Sequence, residues 1–194
     1  MLETFLGIAD NILVGGGMAF PFIKYLGGEI GKSICQDSEI DIVKSFLHKA
    51  KRSRTKIVFP LDFLVTKDII SKDQQKIVES HEIPKELMGV DIGPKTIKLF
   101  NKYIISSQSI MWNGPMGVSE ISDFSRGTRS IAETIKTATN LGTYSLIGGG
   151  DTASDISRFG LANSFSFIST GGGAMLEFFK NPNLIGFKKL KKLK

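Results

Sequence analysis

Three glycine triplets stand directly behind apolar runs, in NILVGGGMAF (11–20), SLIGGGDTASD (145–155) and FISTGGGAML (167–176). Glycine costs backbone entropy, so a triplet marks a sharp bend or a place where backbone approaches something closely. Behind the second triplet come Asp151 and Thr152, a carboxylate and a hydroxyl at what reads as a helix start. Backbone N–H groups at a helix N-terminus attract anions, and a missing Cβ lets a phosphate or a flat ring come near. A carboxylate among them suits a hard cation, or serves as an N-cap. Any single triplet is more simply a tight turn. Three of them, joined by WNGPMG (112–117), are expected to line one rim and to favour a phosphate or nucleotide.

Two nucleotide fingerprints can be tested against this pattern. The P-loop G-x-x-x-x-G-K-[ST] ends correctly at Gly31-Lys32-Ser33, but Leu26 occupies the upstream glycine position. Gly148-Gly149-Gly150-Asp151-Thr152-Ala153 fits the dinucleotide pattern G-x-G-x-x-A after a strand. That pattern needs an acidic residue about 20 positions on to hold a ribose, and Ser169 and Thr170 stand there instead. An NAD-linked oxidoreductase therefore rests on GGGDTA alone.

The elements that must position these residues follow from periodicity. Short apolar runs at 11–14, 56–59, 109–112, 144–147 and 165–168 read as buried parallel strands. Helical patterns fill the intervals, at 18–26, 39–51, 94–101, 124–139, 153–159 and 174–179. Strand alternating with helix predicts βαβ units and a parallel sheet, with ligands at the carboxyl ends of the strands. Residues 60–108 break the rhythm and read as short extended pieces around a turn-rich connection.

Bulk properties narrow the class. The chain has 194 residues, 41% hydrophobic and 23% charged, the composition of a globular domain. One cysteine, Cys35, cannot close an internal disulfide, which predicts a reduced, cytoplasmic setting. No secretory signal or membrane span is expected: acids at Glu3 and Asp10 precede an uncharged run, 11–23, that glycines and a proline interrupt. The net charge of +6 is concentrated in the tail KKLKKLK, and without those five lysines twenty positive side chains face nineteen negative ones. Nucleic acid is not expected as a partner. His48, His81 and Trp112 match no motif; the histidines read as surface and the tryptophan as core.

The motifs NILVGGGMAFPFIK, GVDIGPKT, IMWNGPMGVSE, GGGDTA and STGGGAMLE, in this order, resemble the carboxyl-terminal domain of bacterial-type phosphoglycerate kinases over essentially the whole chain. The resemblance implies an α/β fold, a Rossmann-like three-layer αβα domain with a mainly parallel sheet, over 1–186, with a basic tail at 187–194. It implies binding of ADP or ATP with Mg2+. It also implies, in glycolysis, reversible phosphoryl transfer between 1,3-bisphosphoglycerate and ADP by a monomeric enzyme. Asp151 resembles the magnesium-binding carboxylate of the family. Gly149, Gly150 and Thr152 would cradle phosphates, with Asn113 near the polyphosphate. Glu120 would accept hydrogen bonds from the ribose, and Gly16, Gly17 and Gly89 would form a flat slot for adenine. Gly171, Gly172 and Gly173 would present N–H groups to the phosphoryl in transfer.

In that family an amino-terminal domain holds the phosphoglycerate, and a GGAKV strand-turn precedes the segment that MLETFLGIAD resembles. Neither is found here, so the resemblance implies that the sheet lacks its first strand and that the chain is inactive without the other half. A non-catalytic nucleotide-binding remnant or an interaction module is the alternative. Ser119 stands where the family has phenylalanine and Phe167 where it has histidine. The tail, with Leu190 and Leu193 among its lysines, is expected to be frayed and not to bind membranes.

Overall fold

Apolar runs of three to five residues form the parallel strands, and each helix between them turns one apolar stripe inward. The computed structural model describes residues 2–180. In chain order its elements are β1 (Asn11–Leu13), α1 (Ala19–Tyr25), β2 (Glu29–Ile30), α2 (Asp37–Ala50) and β3 (Lys56–Val58). Then come β4 (Asp62–Thr66), β5 (Lys76–Glu79), β6 (Glu82–Ile83), β7 (Met88–Ile92) and α3 (Pro94–Ile105). The chain continues through β8 (Ser109–Asn113), α4 (Arg126–Asn140), β9 (Tyr144–Gly148), α5 (Gly150–Arg158), β10 (Phe167–Ser169) and α6 (Gly172–Lys180). The tail, 187–194, lies outside the described residues.

Helix positions follow local chemistry. Glu39 Oε2 accepts the Gln36 backbone N–H at 2.7 Å, and α2 has Asp37 and Glu39 in its first turn with His48 and Lys49 in its last. Each charge opposes the helix dipole at its own end. Val43, Phe46 and Ala50 are its buried stripe; Ile131, Ala132, Ile135 and Ala138 are that of α4. Proline opens α3, where its missing N–H leaves nothing unsatisfied.

The parallel strands fall into two groups. β1 pairs with β3, and β8, β9 and β10 pair in that order, all parallel. No described strand hydrogen-bonds one group to the other. β1 and β8 therefore each carry one unpaired edge among the described residues. This is the Rossmann-like α/β domain expected from the sequence.

Residues 60–108 are more ordered than their sequence suggests. β4 lies between β5 and β7 in an antiparallel sheet, with a register shift between Leu64 and Val65. The two-residue strands β2 and β6 add a parallel pair beside it. Phe63 and Val65 are fully buried, and the Phe20 and Phe63 rings lie 5.0 Å apart, so this sheet joins the main core. The alternation was too short and too interrupted by lysines to announce it.

Two buried carboxylates anchor helices to this second sheet. Asp62 accepts the N–H of Thr96 at 2.8 Å and of Lys95 at 3.0 Å, closing the first turn of α3. Asp91 accepts the N–H of Gly127 at 2.7 Å in the first turn of α4, and the N–H of Ile92 at 2.8 Å. Each satisfies orphan donors at a helix start.

Candidate functional site

The glycine rim lies at the carboxyl ends of β1, β8, β9 and β10. Asn113, the last residue of β8, stands at its centre. A Cβ built on Gly149 would lie 2.9 Å from Asn113 Oδ1, and one on Gly172 also 2.9 Å from that atom. The Gly172 Cβ would in addition meet Gly149 Cα at 2.6 Å, so the second and third triplets are in backbone contact. Gly149 has φ +96° and forms the N-cap of α5, a conformation few other residues adopt. Its N–H donates to Ser169 O at 3.1 Å, which carries the β9–β10 pairing into the turn. Nothing stands within 4 Å of a Cβ on Gly150 or Gly173, so both face open space.

Asp151 sits in the first turn of α5 and is exposed. It is not the N-cap; Gly149 holds that position, because its positive φ lets the chain turn straight from β9 into the helix. Thr152 follows Asp151 in the same turn. It is fully buried, and its Oγ1 accepts the N–H of Gly114 at 2.8 Å. The hydroxyl thus ties the WNGPMG loop to α5, and it does so at the rim, 3.5 Å from where a Cβ on Gly149 would stand. Trp112 Nε1 donates to Gly114 O at 2.8 Å, and Met116 N–H to Thr128 Oγ1 at 3.0 Å, so the loop is held at three points.

The first triplet joins the rim from the other side. A Cβ on Gly16 would lie 2.5 Å from Pro115 O, so the turn after β1 presses on the loop after β8. A Cβ on Gly17 would lie 3.2 Å from Ile34 Cγ2. Gly89 lies on β7, which this turn touches, and its N–H donates to Ser33 Oγ at 2.9 Å. A Cβ there would meet the Phe20 ring at 2.5 Å, so core packing alone already requires a glycine. Glu120 is exposed at the end of the loop, beyond the buried Ser119.

Sequence reasoning missed the groups that brace the rim. Asp91 is 2% exposed, and burial pushes its carboxyl up to about 7, against the opposing N–H groups of Gly127 and Ile92 and the charge of Arg126. A Cβ on Gly117 would lie 2.6 Å from Asp91 Oδ1, so this carboxylate lies directly beneath the loop. The available signal was an acid shortly before Gly93-Pro94, a helix-entry pattern. Arg158 and Asp155 had none. A separate cavity of about 680 Å³, bordered by Tyr25, Leu26, Lys44, His48 and Lys51, shares no residue with the rim. Cys35 is free, and burial raises its thiol pKa. No helix among the described residues is long and apolar enough to cross a membrane.

Parallel strands with helices between them, converging on a glycine rim, define a Rossmann-like α/β domain. The family model for phosphoglycerate kinase matches residues 1–181, and the chain belongs to that family. Among solved structures, the phosphoglycerate kinase of Coxiella burnetii superposes with a TM-score of 0.86 at 35% identity, over 92% of this chain and 46% of that one. The enzyme from Pyrococcus horikoshii OT3 gives a TM-score of 0.68 at 27% identity, over 92% and 45%. The chain thus spans about half the length of these relatives.

Proposed function

We propose that the chain is the nucleotide-binding part of a phosphoglycerate kinase. It would hold Mg-ADP or Mg-ATP on the glycine rim and act in phosphoryl transfer together with the half of the enzyme that the longer relatives carry. One observation carries this reading: Asn113, Gly149 and Gly172, from three separate strand ends, meet at one point beside the open start of α5. Family membership supports it.

The residues fit a magnesium nucleotide. Mg2+ keeps several waters and takes one or two carboxylates along with phosphate oxygens. Asp151, exposed in the first turn of α5, supplies one. When bound, the ion would neutralise phosphate charge. Gly149, Gly150 and the start of α5 would offer N–H groups to the phosphates, and Gly171 to Gly173 to the group in transfer. Glu120 would take the ribose hydroxyls, with Gly16, Gly17 and Gly89 beside the base. Thr152, whose Oγ1 accepts the Gly114 N–H, would also offer its hydroxyl proton to a phosphate. The proposed substrates are 1,3-bisphosphoglycerate and ADP, the setting glycolysis in the cytoplasm.

A thermal shift experiment tests the reading. Mg-ADP should raise the unfolding midpoint and NAD should not. Stabilisation follows RT ln(1 + [L]/Kd), about 2.7 kcal/mol at a hundredfold excess over Kd. A response to NAD with none to ADP would remove the kinase reading. Turnover on adding the amino-terminal half of a relative separates an enzyme part from a nucleotide-binding remnant.

A further inference from the structure

We infer that Arg158 is a positioning residue for Glu120, one that fixes the ribose-facing loop to the helix that bears Asp151. The inference rests on the nucleotide reading above. Arg158 lies in the last turn of α5, seven residues after Asp151. Its guanidinium donates from Nη2 to the backbone carbonyl of Ser119, the residue directly before Glu120, in a short hydrogen bond. The same nitrogen donates to Asp155 Oδ1 at 2.6 Å. The guanidinium also lies 5.3 Å from the centre of the Phe159 ring. A carbonyl, a carboxylate and an aromatic ring thus fix the position of one planar cation.

The surroundings make this more than a surface ion pair. Asp155 is 5% exposed and Ser119 2%, so both groups that hold Arg158 are buried. Oδ2 of Asp155 is itself buried and has no hydrogen-bond partner, so Arg158 is the cation that meets its charge. On the loop side, Ser119 N–H donates to Gly117 O at 2.8 Å and Ile121 N–H to Val118 O at 3.0 Å. Fixing the Ser119 carbonyl within that coil fixes where Glu120 leaves it. One helix then carries both arms of the site. Asp151 stands at its start and Glu120 is attached at its end, about 10 Å along the axis at 1.5 Å per residue.

The test uses the 194-residue chain with Arg158→Ala, Arg158→Lys and Glu120→Ala, alone and combined. Binding of Mg-ADP is compared with Mg-pyrophosphate, which has no ribose. Arg158→Ala should raise the Kd for ADP about tenfold, the worth of one charge-assisted hydrogen bond, and leave pyrophosphate unchanged. Glu120→Ala should do the same, and the double variant should lose no more than either single one. Arg158→Lys, able to keep one of the two contacts, should fall between. Amide exchange at 118–121 should quicken in Arg158→Ala while that of 145–148 stays unchanged. Equal losses for ADP and pyrophosphate, additive losses in the double variant, or unchanged exchange at 118–121 would each overturn the inference. Failure of the underlying reading has a different signature: the unsubstituted chain itself binds no ADP, and the inference falls with it.

Discussion

The Oγ1 of Thr152 accepts the backbone N–H of Gly114 at 2.8 Å, joining the first turn of α5 to a loop 38 residues earlier in sequence. Thr152 is fully buried and Gly114 half-buried, so the bond is partly shielded from water. Thr152→Val keeps the shape and removes the acceptor, leaving the Gly114 N–H without its partner. A loss of about 1–3 kcal/mol is expected in urea unfolding, with Thr152→Ser much milder. Equal stability of the valine variant would show that Gly114 finds another acceptor.

Asp91 predicts how stability depends on pH. Its carboxyl titrates at about 7 in the folded chain, above the ordinary value of 3.8, because burial disfavours the charged form. The folded state therefore keeps a proton that the unfolded state releases between those values. The contribution is fully present below about 4 and is lost as pH rises through about 7, on the order of 4 kcal/mol at most. The unfolding midpoint should fall between pH 5 and pH 8. Asp91→Asn, which has nothing to titrate there, should flatten that slope whatever it does to absolute stability.

Two neighbouring glycines should respond in opposite ways to alanine. At Gly172 the new Cβ would press on Gly149 Cα and N at 2.6 and 2.7 Å, both backbone atoms. Gly172→Ala must spread the two triplets and should lower the melting temperature and weaken ADP. Gly173 has nothing within 4 Å and lies inside α6, where alanine is the better helix former. Gly173→Ala should be neutral or stabilising by about 0.5–1 kcal/mol. Reversed outcomes would contradict the close approach of the triplets.

The proposed nucleotide reading predicts that Asp151 and Glu120 divide the ligand response between them. Asp151→Asn should remove the magnesium-dependent part of the ADP-induced thermal shift and leave the fold intact, since the side chain is exposed. Glu120→Ala should cut the part that distinguishes ADP from pyrophosphate. Loss of both parts in either variant would speak against separate roles.

Much of this was legible in the sequence, for physical reasons. The five parallel strands were apolar runs with glycine or small polar punctuation, and their order followed from alternation with helices. The rim was legible because backbone convergence demands glycine, which leaves a visible mark. What remained hidden depended on contacts between distant segments. Nothing local in SRFG reveals that Arg158 reaches Ser119. No pattern in GGGDT reveals that the threonine accepts the Gly114 N–H across 38 residues. The antiparallel sheet β5-β4-β7 stayed obscure because strand β5 is half charged and half exposed, with no fully buried residue, so it lacks a buried face to read.

The unpaired edges of β1 and β8 bear on cooperativity. Backbone hydrogen bonds join β1 to β3, and β8 through β9 to β10, but no described strand joins the two groups. What links them is side-chain packing in one shared core that includes Val14, Val58, Trp112 and Ile147. Packing of this kind loosens before a hydrogen-bonded ladder does, as compact denatured states illustrate. The expected outcome is that the two strand groups open as separate foldons. A probe at Trp112 and one at α2 should report different midpoints for this chain, and supplying a strand between β1 and β8 should merge them into one.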